Sequence, residues 1–248
     1  MFWHARHFAT NHTLMSPTTM NDTIGLPSAA TTRPGQTSMA TWIGLLWALF
    51  GMLAIREAIH RAFPGGGVGS TELREGLMFA SAVGLLLLVT LWEKLPLTSI
   101  GLGTTRWWKS LLWGLALTVV CFLAAGGLIY LTHYGHGKSA AAFDRLPLWL
   151  VTVIVLRAGF VEELFYRGFA IARLQSLGLS RWAAALIPLV IFSVGHWTGG
   201  ASNILIAFVL GAVFTAYYLW RRDLVAAMFA HFMVDFLGNV MPRLLHVK

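Results

Sequence analysis

The chain has 248 residues, of which 57% are hydrophobic and only 11% are charged, and its formal net charge is +8. An ordinary soluble domain carries about 25% charged residues, so this composition excludes a typical soluble globular protein and predicts a polytopic membrane protein. Basic residues near the ends of apolar segments account for the positive charge, which therefore does not indicate binding to nucleic acid.

Residues 1–40 are polar and rich in Thr, Ser and Pro. They lack the apolar core of a signal peptide, which predicts a disordered cytoplasmic tail. Farther along, Cys121 is the single cysteine. It excludes an internal disulfide and disfavours a metal site built from thiolates.

The rest of the chain alternates apolar segments with short polar ones. Crossing a bilayer takes about 20 predominantly apolar residues. The predicted spans are residues 41–55, 77–92, 111–131, 146–174, 182–197, 204–220 and 224–240. The predicted fold class is therefore all-α, a polytopic membrane bundle of about seven transmembrane helices in contact with membrane lipids. A small excess of Lys and Arg on the N-terminal side favours a multi-pass protein of the cell membrane with a cytoplasmic N-terminus.

Ionisable residues inside these spans are few. The first three spans and the sixth contain none away from their ends. Each such side chain costs about 2.5–3.5 kcal/mol at the centre of a membrane helix, so by default it indicates a functional site. The residues are Arg157, Glu162, Glu163, Arg167, His196, His231 and Asp235.

The spacing of these residues predicts which side chains share a helix face. Glu163 and Arg167 are four residues apart and are expected to pair. The residues at 231 and 235 have the same spacing and project together. Glu162 is rotated by about 100° from Glu163 and faces elsewhere. No partner is predicted for Arg157.

Four of the ionisable residues lie at a similar depth. Along helices that rise about 1.5 Å per residue, they lie about 13–22 Å from the basic residues at one membrane face. These four are Glu162, His196, His231 and Asp235. We therefore expect them to meet in one buried layer.

Three short motifs follow one another along the chain, each on a predicted apolar helix. They are Glu162-Glu163-x-x-x-Arg167, Phe192-x-x-x-His196 and His231-x-x-x-Asp235. Together they resemble the type II CAAX prenyl endopeptidase family, also described as CAAX prenyl protease 2 or lysostaphin-resistance-protein-A-like (CPBP) intramembrane proteases. The resemblance covers residues 146–240. It implies an all-helical membrane fold and an endopeptidase that hydrolyses a peptide bond in or near the membrane.

The resemblance also implies a division of the chain and of its residues. Residues 41–145 are interpreted as scaffold spans and residues 146–248 as the catalytic region, within one membrane domain at 41–248. Glu162 and His196 would activate water, with Glu162 as the general base. The oxyanion would be stabilised by His231 and Asp235, and the supporting residues would be Glu163 and Arg167.

Two mechanisms stay open at this point. In one, Glu162 and His196 activate water directly and no cofactor is needed. In the other, Glu162, His196 and His231 bind a divalent metal such as zinc, as in a metalloprotease. An ionised Asp235 cannot donate a hydrogen bond to an oxyanion. It would have to be protonated, orient His231 or bind the metal.

The same residues also fit a function other than proteolysis. Carboxylates and histidines inside a membrane also mark proton-coupled transporters, although the two halves of this chain show no inverted repeat. Some members of the family are linked to bacteriocin immunity, which would make the chain a non-proteolytic scaffold. As a protease, it would act on a peptide or protein, with or without a lipid modification.

Overall fold

The computed structural model describes residues 39–103, 106–132, 143 and 145–246. Within these residues the chain is helical and has no strand, which confirms the all-α fold class. The main helices are α1 (Met39–Ala62), α2 (Val68–Trp92), α3 (Trp107–Thr132), α4 (148–176), α5 (Arg181–Val194), α6 (Ala201–Arg221) and α7 (Leu224–Leu244).

Five of these helices are long and apolar enough to cross a membrane, namely α1, α2, α3, α6 and α7. The chain is therefore a multi-pass membrane protein. Helix α5 has only 14 residues, and α4 carries most of the charged residues of the predicted site. The count of seven spans stays a prediction.

Several helices extend beyond the apolar segments from which they were predicted. Helix α1 continues past residue 55 to Ala62, and its last turns are supported by an ion pair of 2.7 Å between Glu57 and Arg61, four residues apart. Helix α2 begins at Val68 rather than at residue 77. Hydropathy marks the apolar part of a helix and misses a polar extension.

Two predicted segments end at other residues than expected. Helix α7 was expected to end at residue 240 but continues through Pro242 to Leu244. Pro242 opens a new helical segment, where its missing N–H leaves no hydrogen bond unmade. The tail predicted at 1–40 lies outside the described residues, except that Met39 and Ala40 already belong to α1.

The middle of α4 is a π-helix. It lies between the α-helical segments Leu148–Arg157 and Ala172–Ser176 and covers Ala158–Ile171. Its backbone hydrogen bonds join residues five apart, a geometry that is rare in proteins and frequent at functional sites. This segment contains the Glu162-Glu163-x-x-x-Arg167 motif.

Helix α4 lies at the centre of the bundle. It packs against α1, α2, α5 and α7, and large side chains such as Phe165 and Phe169 are fully buried on it. Its close approach to α7 depends on Gly159, because a β-carbon there would lie 2.7 Å from the backbone nitrogen of Phe232. The two motif-bearing helices therefore lie within side-chain contact of each other.

Candidate active site

Glu163 joins α4 to α7. Its side chain is fully buried, and its Oε1 accepts hydrogen bonds from Arg167 Nη1 at 2.9 Å and from His231 Nδ1 at 2.8 Å. The predicted pairing of Glu163 with Arg167 is confirmed, while the contact with His231 was not predicted. Both bonds end on Oε1, so Oε2 is buried with no hydrogen-bond partner in the described part of the chain.

Arg167 is held by groups from two further helices. Its guanidinium donates to the Gly211 carbonyl at 3.2 Å and to Thr215 Oγ1 at 3.4 Å, both on α6. It also lies 4.3 Å from the ring centroid of Phe192 on α5. A side chain at position 211 would meet this guanidinium. Arg167 therefore ties α4 to α5 and α6, and its supporting role in catalysis stays a prediction.

His231 lies between two carboxylates. Its Nδ1 is bonded to Glu163, whereas its Nε2 lies 3.6 Å from Asp235 Oδ2, too far for a hydrogen bond. The predicted shared face of His231 and Asp235 is confirmed by this contact. The imidazole stacks on Phe214, with ring centroids 5.1 Å apart. These contacts fix the ring and leave Nε2 on the side of the half-buried Asp235.

His196 lies just beyond the end of α5, so its predicted placement on a helix is wrong. Helix α5 ends at Val194, and His196 belongs to the turn that follows. Gly195 and the nearby glycines at 199 and 200 lower the helix propensity here. The His196 Nδ1 lies 2.8 Å from the Phe192 carbonyl, one of the oxygens that a helix end leaves unpaired. Its Nε2 is thus the ring nitrogen available to a substrate.

Glu162 is paired with Arg157. Its Oε1 accepts a short hydrogen bond from Arg157 Nη1, and Arg157 Nε donates to Glu75 Oε2 at 2.8 Å. The side chain of Glu75, on α2, is only 1% exposed and also accepts from Arg74 at 2.8 Å. Arg157, which had no predicted partner, therefore bridges Glu162 to a buried carboxylate of a predicted scaffold span.

Neither partner of Arg157 could be predicted from the sequence, for different reasons. Residues five apart in an α-helix lie about 140° from each other, whereas a π-helical turn brings Arg157 and Glu162 to the same side. Glu75 precedes the apolar segment predicted at 77–92 and lies in the polar extension of α2. The helix that contains the predicted second span therefore carries a buried carboxylate just outside the predicted bounds.

The four residues predicted as catalytic come together in the structure. The Phe192 ring contacts both imidazoles, with its centroid 4.7 Å from that of His196 and 6.3 Å from that of His231, and Asp235 lies 3.6 Å from His231. Glu162 lies within electrostatic range of both imidazoles and of Asp235. The four residues come from the middle of α4, from the turn after α5 and from α7. A carboxylate, two imidazoles and a second carboxyl group therefore share one site, and their catalytic roles stay predictions.

The residues predicted as metal ligands do not form a metal-binding group. Within the described ranges, no three His, Cys, Asp or Glu side chains are arranged to hold a metal ion. Glu162 is engaged by a guanidinium and His231 by the Glu163 carboxylate. Three protein ligands with an open fourth position are typical of catalytic zinc, and this arrangement does not fit that pattern.

The fold and the site define a class, the multi-pass helical membrane proteins with a buried cluster of carboxylates and imidazoles. The family model described as type II CAAX prenyl endopeptidase Rce1-like matches residues 144–237. This range contains all three motifs, so the resemblance is confirmed. The family implies a CAAX-type intramembrane protease, and hence a hydrolase with a peptide or protein substrate. Comparisons with curated proteins and with solved structures find no match.

Proposed function

We propose that the protein is an intramembrane endopeptidase that hydrolyses a peptide bond with water activated by Glu162 and His196. The observation that carries this proposal is the convergence of Glu162, His196 and the His231-Asp235 pair on one site. Peptide hydrolysis requires a general base and a donor for the oxyanion within reach of one carbonyl group. The site contains groups of both kinds.

Glu162 acts as the general base in this proposal. Arg157 binds Oε1 and holds the carboxylate in place, while Oε2 takes a proton from the attacking water. The Nδ1 of His196 is fixed on the Phe192 carbonyl, so its Nε2 hydrogen-bonds the same water. The water oxygen forms a bond to the carbonyl carbon, and the carbonyl π electrons move onto its oxygen.

His231 stabilises the oxyanion that results. Its Nδ1–H donates to Glu163, and a protonated Nε2 donates to the negative oxygen. Asp235, 3.6 Å from Nε2, keeps that proton directed into the site before the substrate arrives. When the tetrahedral intermediate collapses, the C–N bond breaks and the proton held by Glu162 passes to the leaving amine.

This mechanism uses the protein's own side chains and no metal ion, because the ligand set does not fit a catalytic zinc site. The match to a protease family favours this function over a transporter or an immunity scaffold. We further propose that the protein lies in the cell membrane with a cytoplasmic N-terminus. Its substrate is a peptide or protein. The assay below compares peptides with and without a lipid modification.

The proposal is tested with purified protein in detergent, a peptide library and a prenylated C-terminal peptide. Glu162→Gln is expected to lower kcat at least about 100-fold, the usual size of a general-base contribution. Glu72→Gln is the matched control, because Glu72 is exposed on α2. Equal cleavage by the two variants would overturn the role of Glu162. Proton uptake into liposomes without any cleavage would support the transporter instead.

A further inference from the structure

A cavity of about 570 Å³, lined by both apolar and charged side chains, lies beside the catalytic cluster. It opens between the end of α1, the start of α2 and the turn that carries His196. Trp197 and Thr198, the two residues after His196, form part of its wall. A peptide bound against His196 therefore has this cavity as the adjoining space for its flanking residues.

The wall of this cavity is basic. It contains Arg56, His60 and Arg74, and one carboxylate, Glu57. Glu57 is 2.7 Å from Arg61, a residue outside the lining, and its charge also acts on Arg56. The lining nevertheless holds two arginines against one carboxylate, so an anionic group that enters the cavity would meet an excess of positive charge in the wall.

Arg56 differs from Arg74 in its partners. Arg74 is paired with the buried Glu75 at 2.8 Å. Arg56 is half-buried and donates to the neutral carbonyl of Gly195 at 2.8 Å. None of the ion pairs among the described residues includes Arg56. Its guanidinium lies 5.4 Å from the Trp197 ring centroid, within the range of a cation–π contact.

Arg56 also lies close to the catalytic cluster. Its charge interacts with that of Glu162, and its hydrogen bond ends on the residue before His196. A guanidinium binds a carboxylate through two parallel hydrogen bonds, more strongly than it binds a neutral group. A cation placed here would also offset the repulsion between a substrate carboxylate and Glu162.

We propose that Arg56 binds a carboxylate group of the peptide substrate, either the free C-terminus or an acidic side chain near the cleaved bond. The proposal rests on the proposed protease function and deepens it. Arg56 lies outside the residues matched by the family model. A predicted scaffold helix thus contributes a specificity-determining residue.

The test measures cleavage of two matched peptide pairs. One pair ends in a carboxylate or a carboxamide, and the other carries Asp or Asn beside the cleaved bond. The wild type is expected to cleave one acidic member about tenfold or more better than its neutral match, through KM, since a charged hydrogen bond contributes that much. The pair that shows the difference identifies the source of the carboxylate.

In Arg56→Gln this preference is expected to disappear, because cleavage of the acidic peptide falls to the level of the neutral one while cleavage of the neutral peptide stays near its wild-type rate. Arg56→Lys keeps the positive charge and is expected to retain part of the preference. Arg221→Gln is the matched control, because Arg221 is an exposed arginine on α6 outside the cavity. Thermal unfolding of each variant shows that it is folded.

Arg56 also donates to the Gly195 carbonyl, so a purely structural role of Arg56 must be separated from substrate binding. An equal loss on acidic and neutral peptides in Arg56→Gln would overturn the proposal. The assay is repeated with the protein in lipid vesicles with and without phosphatidylglycerol. A loss of cleavage in Arg56→Gln that depends on this lipid and not on the peptide would also overturn the proposal, since the ligand would then be a lipid phosphate. A wild type that does not distinguish the members of either pair would overturn it as well.

Peptide binding to Glu162→Gln, measured by fluorescence anisotropy, distinguishes a failure of the proposed protease function from a failure of the Arg56 proposal. That variant is expected to bind the preferred acidic peptide about tenfold more tightly than its neutral match. Glu162→Gln combined with Arg56→Gln is expected to bind both equally. Cleavage by Glu162→Gln would contradict the catalytic mechanism alone. Equal binding of both peptides by Glu162→Gln would contradict the Arg56 proposal alone.

Discussion

Removing the charge of Glu75 tests how the proposed general base is held. The Glu75→Gln variant keeps the shape of the side chain, but Arg157 then retains a charged partner only in Glu162. The side chain of Glu75 is 1% exposed and that of Arg157 10%, so the broken ion pair is buried. Breaking such a pair by removing one partner costs about 3–5 kcal/mol, and we expect a value near 3 because Arg157 keeps its bond to Glu162.

The effect on cleavage is expected to fall on kcat. Without the charge of Glu75, the guanidinium that positions the Glu162 carboxylate loses its ion pair with α2 and is held less firmly. A misplaced catalytic group costs about 10- to 100-fold in rate, while substrate binding, and hence KM, is expected to stay close to the wild-type value. Thermal unfolding and peptide cleavage are measured on the same detergent-purified samples, with Glu72→Gln as the exposed control.

A second variant separates stability from positioning. Arg157→Met leaves Glu162 without its ion-pair partner and leaves Glu75 with Arg74 alone, and it is expected to be the least stable single variant. Adding Glu75→Gln removes a buried carboxylate charge that only the more exposed Arg74 still pairs, so the double variant should recover part of the lost stability. Its kcat should stay low, because Glu162 still lacks its anchor. Wild-type unfolding and kcat in Glu75→Gln, or recovered kcat in the double variant, would refute this reasoning.

Three further predictions concern the surroundings of the site. Gly159→Ala is expected to lower the free energy of unfolding by about 1–3 kcal/mol, because its β-carbon would lie 2.7 Å from the Phe232 nitrogen; unchanged thermal unfolding would contradict the close packing of α4 and α7. Glu163→Gln is expected to cost about 3–5 kcal/mol and to lower kcat, because Arg167 and His231 lose their shared carboxylate; a wild-type pH profile and kcat would contradict this. Chelation followed by desalting should leave cleavage unchanged, and a loss of activity restored by zinc would contradict the metal-free mechanism.

The sequence predicted those features of the fold and site that depend on neighbouring residues. Apolar length predicted the helices, and the spacing of four residues predicted the pairs at 163 and 167 and at 231 and 235. Both contacts are present, at 2.9 and 3.6 Å. Such local rules work because an α-helix and a π-helix both keep residues four apart near one face.

The features that the sequence did not predict depend on distant residues or on departures from the regular α-helix. Glu75 contacts Arg157 across 82 residues of sequence, which no helical periodicity can indicate. The π-helical segment moves Arg157 next to Glu162, and the early end of α5 places His196 in a turn. Arg56 is the first residue after the span predicted at 41–55, and its bond to the backbone beside His196 depends on a contact across 139 residues of sequence.

The most direct test of the central claim is peptide hydrolysis in water enriched in the heavy oxygen isotope. Mass spectrometry of the products should find one heavy oxygen atom in the new C-terminal carboxyl group formed by the wild type and by Glu72→Gln. Glu162→Gln should form labelled product at least about 100-fold more slowly than the wild type. Labelled product formed by Glu162→Gln at the wild-type rate would contradict the assignment of Glu162 as the base that activates water.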